Sequence, residues 1–200
     1  MHLVNVLAAA GLVAASTAQA IEEPDFKVEK VFETFEIRQY APYFVAETVV
    51  PGPADAAGGQ AFPILAGYIF GKNKGERNFQ MTAPVTQEPL KIEMTAPVTQ
   101  SSVASGYLVQ FVMSKGLTLA SLPEPLDARV KLREVAGRRT AVIRYSGSWS
   151  QSRYESHLGI LKAELSRQGL AWRGEPVFSR YNGPLTLWFL RRNEVWLELV

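Results

Sequence analysis

Residues 140–169 read TAVIRYSGSWSQSRYESHLGILKAELSRQG, and two periods meet inside this one run. Thr140–Tyr145 is apolar and β-branched enough for a strand. Ser148 or Ser150 then supplies an N-cap, and Tyr154, Leu158, Leu161 and Leu165 recur at spacings of three and four, which predicts a helix to about Gln168. Gly169 ends it. Upstream, Arg129–Val135 is another strand, and Ala136-Gly137-Arg138-Arg139 between the two strands predicts a hairpin turn. Downstream, strands fall at Pro176–Tyr181 and Glu194–Val200, with Asn182-Gly183-Pro184 a turn between them. The C-terminal part therefore reads strand, strand, helix, strand, strand.

The preceding part reads the same way. Phe26 to Tyr40 alternates apolar and charged residues with a break near Glu33-Thr34, and Tyr43–Val50 is a strand stopped by Pro51-Gly52-Pro53. Phe62, Leu65 and Ile69 then shift to helical spacing. Gly58, Gly59 and Pro63 are poor helix residues, so the spacing predicts a helix that starts near Pro63 or kinks there, with Gly71 as its stop. Met81–Thr99 is β-like and interrupted by turns, and Tyr107–Met113 is a strand. The expected fold is α+β, a distorted β-barrel of two pseudo-symmetric strand-strand-helix-strand-strand halves with one helix each. Neither half covers both faces of its own sheet, so residues 21–200 form one domain with a shared core.

The chain has 200 residues, 47% hydrophobic and 20% charged, a globular balance. Its net charge of +2 gives no electrostatic footprint for nucleic acid. With no cysteine there is no disulfide, thiol nucleophile or covalent haem attachment. His2 and His157 are the only histidines, too few for a multi-histidine metal site. Residues 3–15 (LVNVLAAAGLVAA) are too short to span a bilayer, and Ala18-Gln19-Ala20 is an A-x-A cleavage site. Residues 1–20 thus read as a signal peptide, the location as periplasmic or secreted, and the mature chain as lacking a membrane span.

Met81-Thr-Ala-Pro-Val-Thr-Gln87 recurs letter for letter as Met94-Thr-Ala-Pro-Val-Thr-Gln100. Pro84 and Pro97 cannot donate to a ladder, so each copy belongs at a sheet edge or bulge. Met81 and Met94 suit core filling first, since methionine usually is core, and otherwise the adaptable lining of an apolar cleft.

These copies stand among several stretches that resemble the SOUL/haem-binding protein family. The others are Val31–Tyr40 (VFETFEIRQY), Tyr68–Asn73 (YIFGKN), Lys91–Val98 (KIEMTAPV), Phe111-Val-Met113 and Phe189–Trp196 (FLRRNEVW), in that order over 24–200. The resemblance implies the barrel of two halves and the non-covalent binding of haem or another tetrapyrrole without catalysis. A haem site needs an apolar slot and donors for two propionates. Phe62, Leu65, Tyr68 and Ile69 on the first helix, with Met81 and Met94, are the candidate slot, and Arg191 is a candidate propionate partner. Family members often carry basic residues on this helix, whereas 53–70 holds no Lys or Arg. Lys72, Lys74 and Arg77 lie just beyond it. Arg191-Arg192 also suit a turn in which they pair with Glu194. His157 falls on the flank of its helix's apolar stripe, where a solvated or locally bonded histidine fits better than a haem ligand. The alternatives are a binder of another flat or amphiphilic apolar effector and, with no nucleophile–base pair in the sequence, an enzyme using Glu/Tyr acid-base chemistry.

Overall fold

The computed structural model describes residues 22–90, 106–183 and 185–200. The expected signal peptide and the second heptapeptide copy, with Met94, lie outside them. The described elements run β1 (Phe26–Val31), β2 (Glu36–Tyr40), β3 (Tyr43–Pro51), α1 (Ala54–Ile69), β4 (Val85–Leu90), β5 (Gly106–Val112), β6 (Lys131–Val135), β7 (Arg139–Tyr145), α2 (Gln151–Arg167), β8 (Trp172–Arg180) and β9 (Asn193–Leu199). The strands form one antiparallel sheet in the order β1-β2-β7-β9-β8-β4-β5-β3-β6, curled into a half-barrel with both helices on one face.

The expected duplication is present, with an exchange. Strands β3, β4 and β5 of the first half take β6 from the second half as their edge, through β3. Strands β7, β8 and β9 take β2 from the first half, through β7. The halves meet where β4 pairs with β8. Each half thus completes the other's sheet.

The exchange overturns the hairpin expected at 136–139. β6 and β7 do not pair with each other. The chain crosses from one half-sheet to the other, and Arg138 exchanges backbone bonds with Tyr40 at 2.9 and 3.2 Å. Gly137 presses so closely on this crossing that a Cβ there would stand 2.9 Å from the Tyr40 carbonyl oxygen. The turn residues serve that close passage rather than a tight reversal.

α2 matches its sequence signals. The Ser150 hydroxyl accepts from the Arg153 N–H, and Tyr154, Leu161 and Leu165 are buried. They pack on Ile37, Ala141, Ile143, Phe178, Val195 and Leu197. Burying each leucine stabilises the fold by about 2 kcal/mol, so Leu161→Asp would detach the helix. α1 differs from expectation: it begins at Ala54, and Pro63 lies inside it. Ala57, Ala61, Leu65, Ala66, Tyr68 and Ile69 form its buried stripe, and the small alanines let the helix close onto Ala46, Val50, Val109 and Phe111. Gly59 and Pro63 sit on the exposed side, so the carbonyl that Pro63 cannot bond faces solvent. Packing outweighs local propensity here.

Candidate functional site

The register of six strands places one row of side chains across the helix-bearing face. Ala46 opposes Phe111, Phe111 opposes Val85, Val85 opposes Arg180, Arg180 opposes Asn193, and Asn193 opposes Tyr145. Directly opposed residues share a face, so the row is apolar under α1 and polar toward α2. Phe62 of α1 sits on Phe111 with ring centres 5.7 Å apart, and 43% of its surface is exposed.

Arg180 stands at the change from apolar to polar. Its guanidinium reaches α1 at Gly58, where a Cβ would lie 2.7 Å from Nη1. Its Nη2 donates to Gln87 Oε1 at 3.3 Å, and the Gln87 amide in turn donates to the Ala54 carbonyl of α1 at 2.8 Å. The guanidinium lies 4.7 Å from the Phe178 ring centre and 5.4 Å from that of Trp149. Burial lowers its pKa, opposed by Tyr145. Its Nε, the Trp149 Nε1 and the Tyr145 hydroxyl are buried polar atoms without hydrogen-bond partners. Burial pushes the Tyr145 phenol well above its ordinary value, against the pull of Arg180 and Arg153.

Arg191 also lies against Trp149, its guanidinium 4.2 Å from the indole centre and its Nε donating to the Thr186 carbonyl at 2.8 Å. Trp149, just before α2, therefore ties the β8 end to the segment after it. That segment exposes Leu185, Leu187, Trp188, Phe189 and Leu190, with Trp188 57% exposed and packed edge-on against Phe189. So many large apolar side chains together in solvent mark a surface made for contact.

The sequence candidates divide. Phe62 and Arg191 fall at this place. Leu65, Tyr68 and Ile69 are core residues whose side chains face the sheet. Tyr68 donates to the Pro123 carbonyl at 3.0 Å, and burial pushes its phenol up to about 12, opposed by Arg77. Met81 is exposed ahead of β4. The basic residues after α1 are engaged locally: Lys74 pairs with Glu124 at 2.5 Å, and Arg77 donates to the Ser121 carbonyl and covers the Phe79 ring. The Lys72 stem lies against Gly67. His157 donates from Nδ1 to the Arg153 carbonyl, 2.7 Å away, and its ring stacks on Tyr145 at 3.8 Å. Sequence reading missed Arg180, Trp149 and Tyr145. The alternation of Phe178 and Arg180 in β8 was the one available signal that a cation shares a face with core aromatics.

Arg192, Glu194 and Trp196 of the Arg191–Trp196 block work on the opposite face, as structure. Glu194, with no exposed surface, accepts from Arg38 at 2.9 and 3.1 Å, from Tyr181 and Trp196 at 2.8 Å, and from Arg192 at 2.9 Å. Arg192 also holds Glu23 at 2.7 Å. Burial pushes the Glu194 carboxyl up, but the charges of Arg38 and Arg192 and these bonds outweigh it, and the group titrates below its ordinary range.

Hollows occur away from the helix-bearing row, one of about 430 Å³ beside Phe26, Tyr40 and Gly137 and one of about 140 Å³ between Glu22–Asp25 and Met113–Leu117. Among the described residues, no group of three or more His, Asp or Glu is placed to hold a metal ion, and no helix is long and apolar enough to cross a membrane. The helix-bearing face thus sets the cations Arg180 and Arg191 around Trp149.

Comparison with known proteins agrees in family. The chain is 29% identical to human heme-binding protein 2 over 195 residues, covering 91% of this chain and 88% of that protein. It is 26% identical to mouse heme-binding protein 1 over 154 residues, 77% of each. Solved structures at 11–12% identity share the fold: an uncharacterized conserved protein from Listeria innocua (TM-score 0.62, covering 84% of this chain and 92% of that one) and the EcmrR C-terminal domain (TM-score 0.58, 82% and 95%). The SOUL heme-binding protein model matches residues 21–198, and the chain belongs to that family.

Proposed function

We propose that the protein binds haem or a related tetrapyrrole non-covalently, without catalysis, on the helix-bearing face between α1 and the 185–190 segment. The observation that carries this reading is Trp149 in contact with the guanidinium groups of both Arg180 and Arg191, in a fold that leaves Phe62, Trp188 and Phe189 exposed. Apolar side chains supply the area for a flat ring, and the two arginines offer donors to its propionates. Relatives whose names state haem binding support the choice of ligand.

The leader reading of residues 1–20 makes the protein an exported one, with Ile21 as the first mature residue. The family match beginning at residue 21 supports that boundary. An exported binder of this kind would carry or buffer the ligand outside the cytoplasm. Native mass spectrometry of the protein isolated from the periplasmic fraction tests the ligand. A mass increment equal to a tetrapyrrole supports the reading, and a different apolar small molecule in its place contradicts it.

A further inference from the structure

Tyr145, Trp149 and Arg180 present three hydrogen-bond donors with nothing to receive them. The phenol O–H, the indole N–H and the guanidinium Nε–H are all buried and unpartnered, and Tyr145 is only 8% exposed. A buried donor left without an acceptor costs free energy, so these three donors call for an acceptor. Asn193, between Tyr145 and Arg180 in the row, spends its amide N–H on the Gly147 carbonyl, and its one free oxygen cannot serve three donors. The side-chain hydrogen bond of Arg180 goes to a neutral amide.

The surroundings favour negative charge. α2 begins at Gln151 with no acidic residue in its first turn, so the positive end of its dipole is not offset there. Arg153 lies against Gly147, with Nη1 directed at the Ser146 carbonyl. Arg191 also lies against the Trp149 ring. Gly58 lets the Arg180 guanidinium lie flush with α1, at the edge of the apolar surface that begins with Phe62.

Building on the haem reading, we infer that a ligand carboxylate is received between the two helices by Tyr145, Trp149 and Arg180. The ligand class is an amphiphile with a flat apolar body along Phe62 and the 185–190 segment and an acid group at the Arg180 end. The helix cation absent from 53–70 is thereby supplied from β8.

The test compares haemin with haemin dimethyl ester, whose propionates are esterified, by Soret titration of the wild type, Arg180→Gln and Tyr145→Phe. The wild type is expected to bind haemin about tenfold more tightly than the ester, the worth of one charge-assisted pair. Arg180→Gln should bring the two ligands within about twofold of each other by weakening haemin alone. Tyr145→Phe should act in the same direction and keeps its ring stacked on His157, so it carries the test if Arg180→Gln does not fold. Each apo variant's thermal midpoint reports folding separately. Equal wild-type affinity for both compounds, or a haemin preference that survives in the folded variants, overturns the carboxylate site while leaving haem binding in place. Failure of both compounds to bind overturns the haem reading and the carboxylate site with it.

Discussion

A methyl group on Gly58 would stand 2.7 Å from Nη1 of Arg180. The glycine that weakens α1 by propensity is what allows a strand-borne cation to reach it. The neighbouring atom is the tip of a long side chain, so it can move aside at small cost.

Gly58→Ala should therefore leave the thermal midpoint unchanged or slightly raised, since alanine gains up to about 1 kcal/mol over glycine in a helix. Haemin affinity should fall severalfold as the guanidinium is displaced. A calorimetric scan and a haemin titration on the same sample separate the two effects. A loss of stability with unaltered binding would contradict this role for Gly58.

Glu194 binds two arginines, a tyrosine and a tryptophan with no exposure to water. Glu194→Gln should cost about 3 kcal/mol at neutral pH, because Arg38 and Arg192 each lose a charged partner in the interior. The carboxyl titrates below its ordinary value of 4.5 in the folded chain. Its contribution is therefore whole above that value and is lost as the pH falls through the lower folded one. Urea melts from pH 7 to 3 should show a smaller acid loss in the variant than in the wild type. Parallel curves would mean that Glu194 does not govern the acid limb.

Trp188 and Phe189 are more than half exposed, so their truncation should change stability by less than about 0.5 kcal/mol. The double variant Trp188→Ala/Phe189→Ala should nonetheless weaken haemin severalfold. Unchanged haemin binding would remove the 185–190 segment from the site.

His157 lies flat on Tyr145 and is bonded through Nδ1 to the Arg153 carbonyl. His157→Phe keeps the stacked ring and removes the imidazole. The Soret position should stay where it is, and a low-spin histidine spectrum that collapses in the variant would instead make His157 the axial ligand.

The parts of the fold legible from sequence were those with a clean period. β7, α2 and the Ser150 cap follow directly from Thr140–Gln168. The start of α1 was not legible, because Gly58, Gly59 and Pro63 argue locally against a helix that Ala57 and Ala61 secure through packing. The crossing at Gly137 was read as a hairpin because turn chemistry is local, whereas the exchange of β2 and β6 between half-sheets is a property of pairing. The site was half legible for the same reason. Phe62 and Leu65 share a helix and a hydrophobic character, and only the packed structure turns one to solvent and the other to the sheet. Arg180 carries no motif; its meaning comes from a register that sets it opposite Val85 and Asn193.

Soret titration of the wild-type protein with haemin tests reversible tetrapyrrole binding on the helix-bearing face. The expected result is a saturable shift at one equivalent, reversed by excess apomyoglobin and diminished by replacing Phe62 with aspartate. A Soret band that grows without saturation, or a saturable shift indifferent to Phe62→Asp, would contradict it.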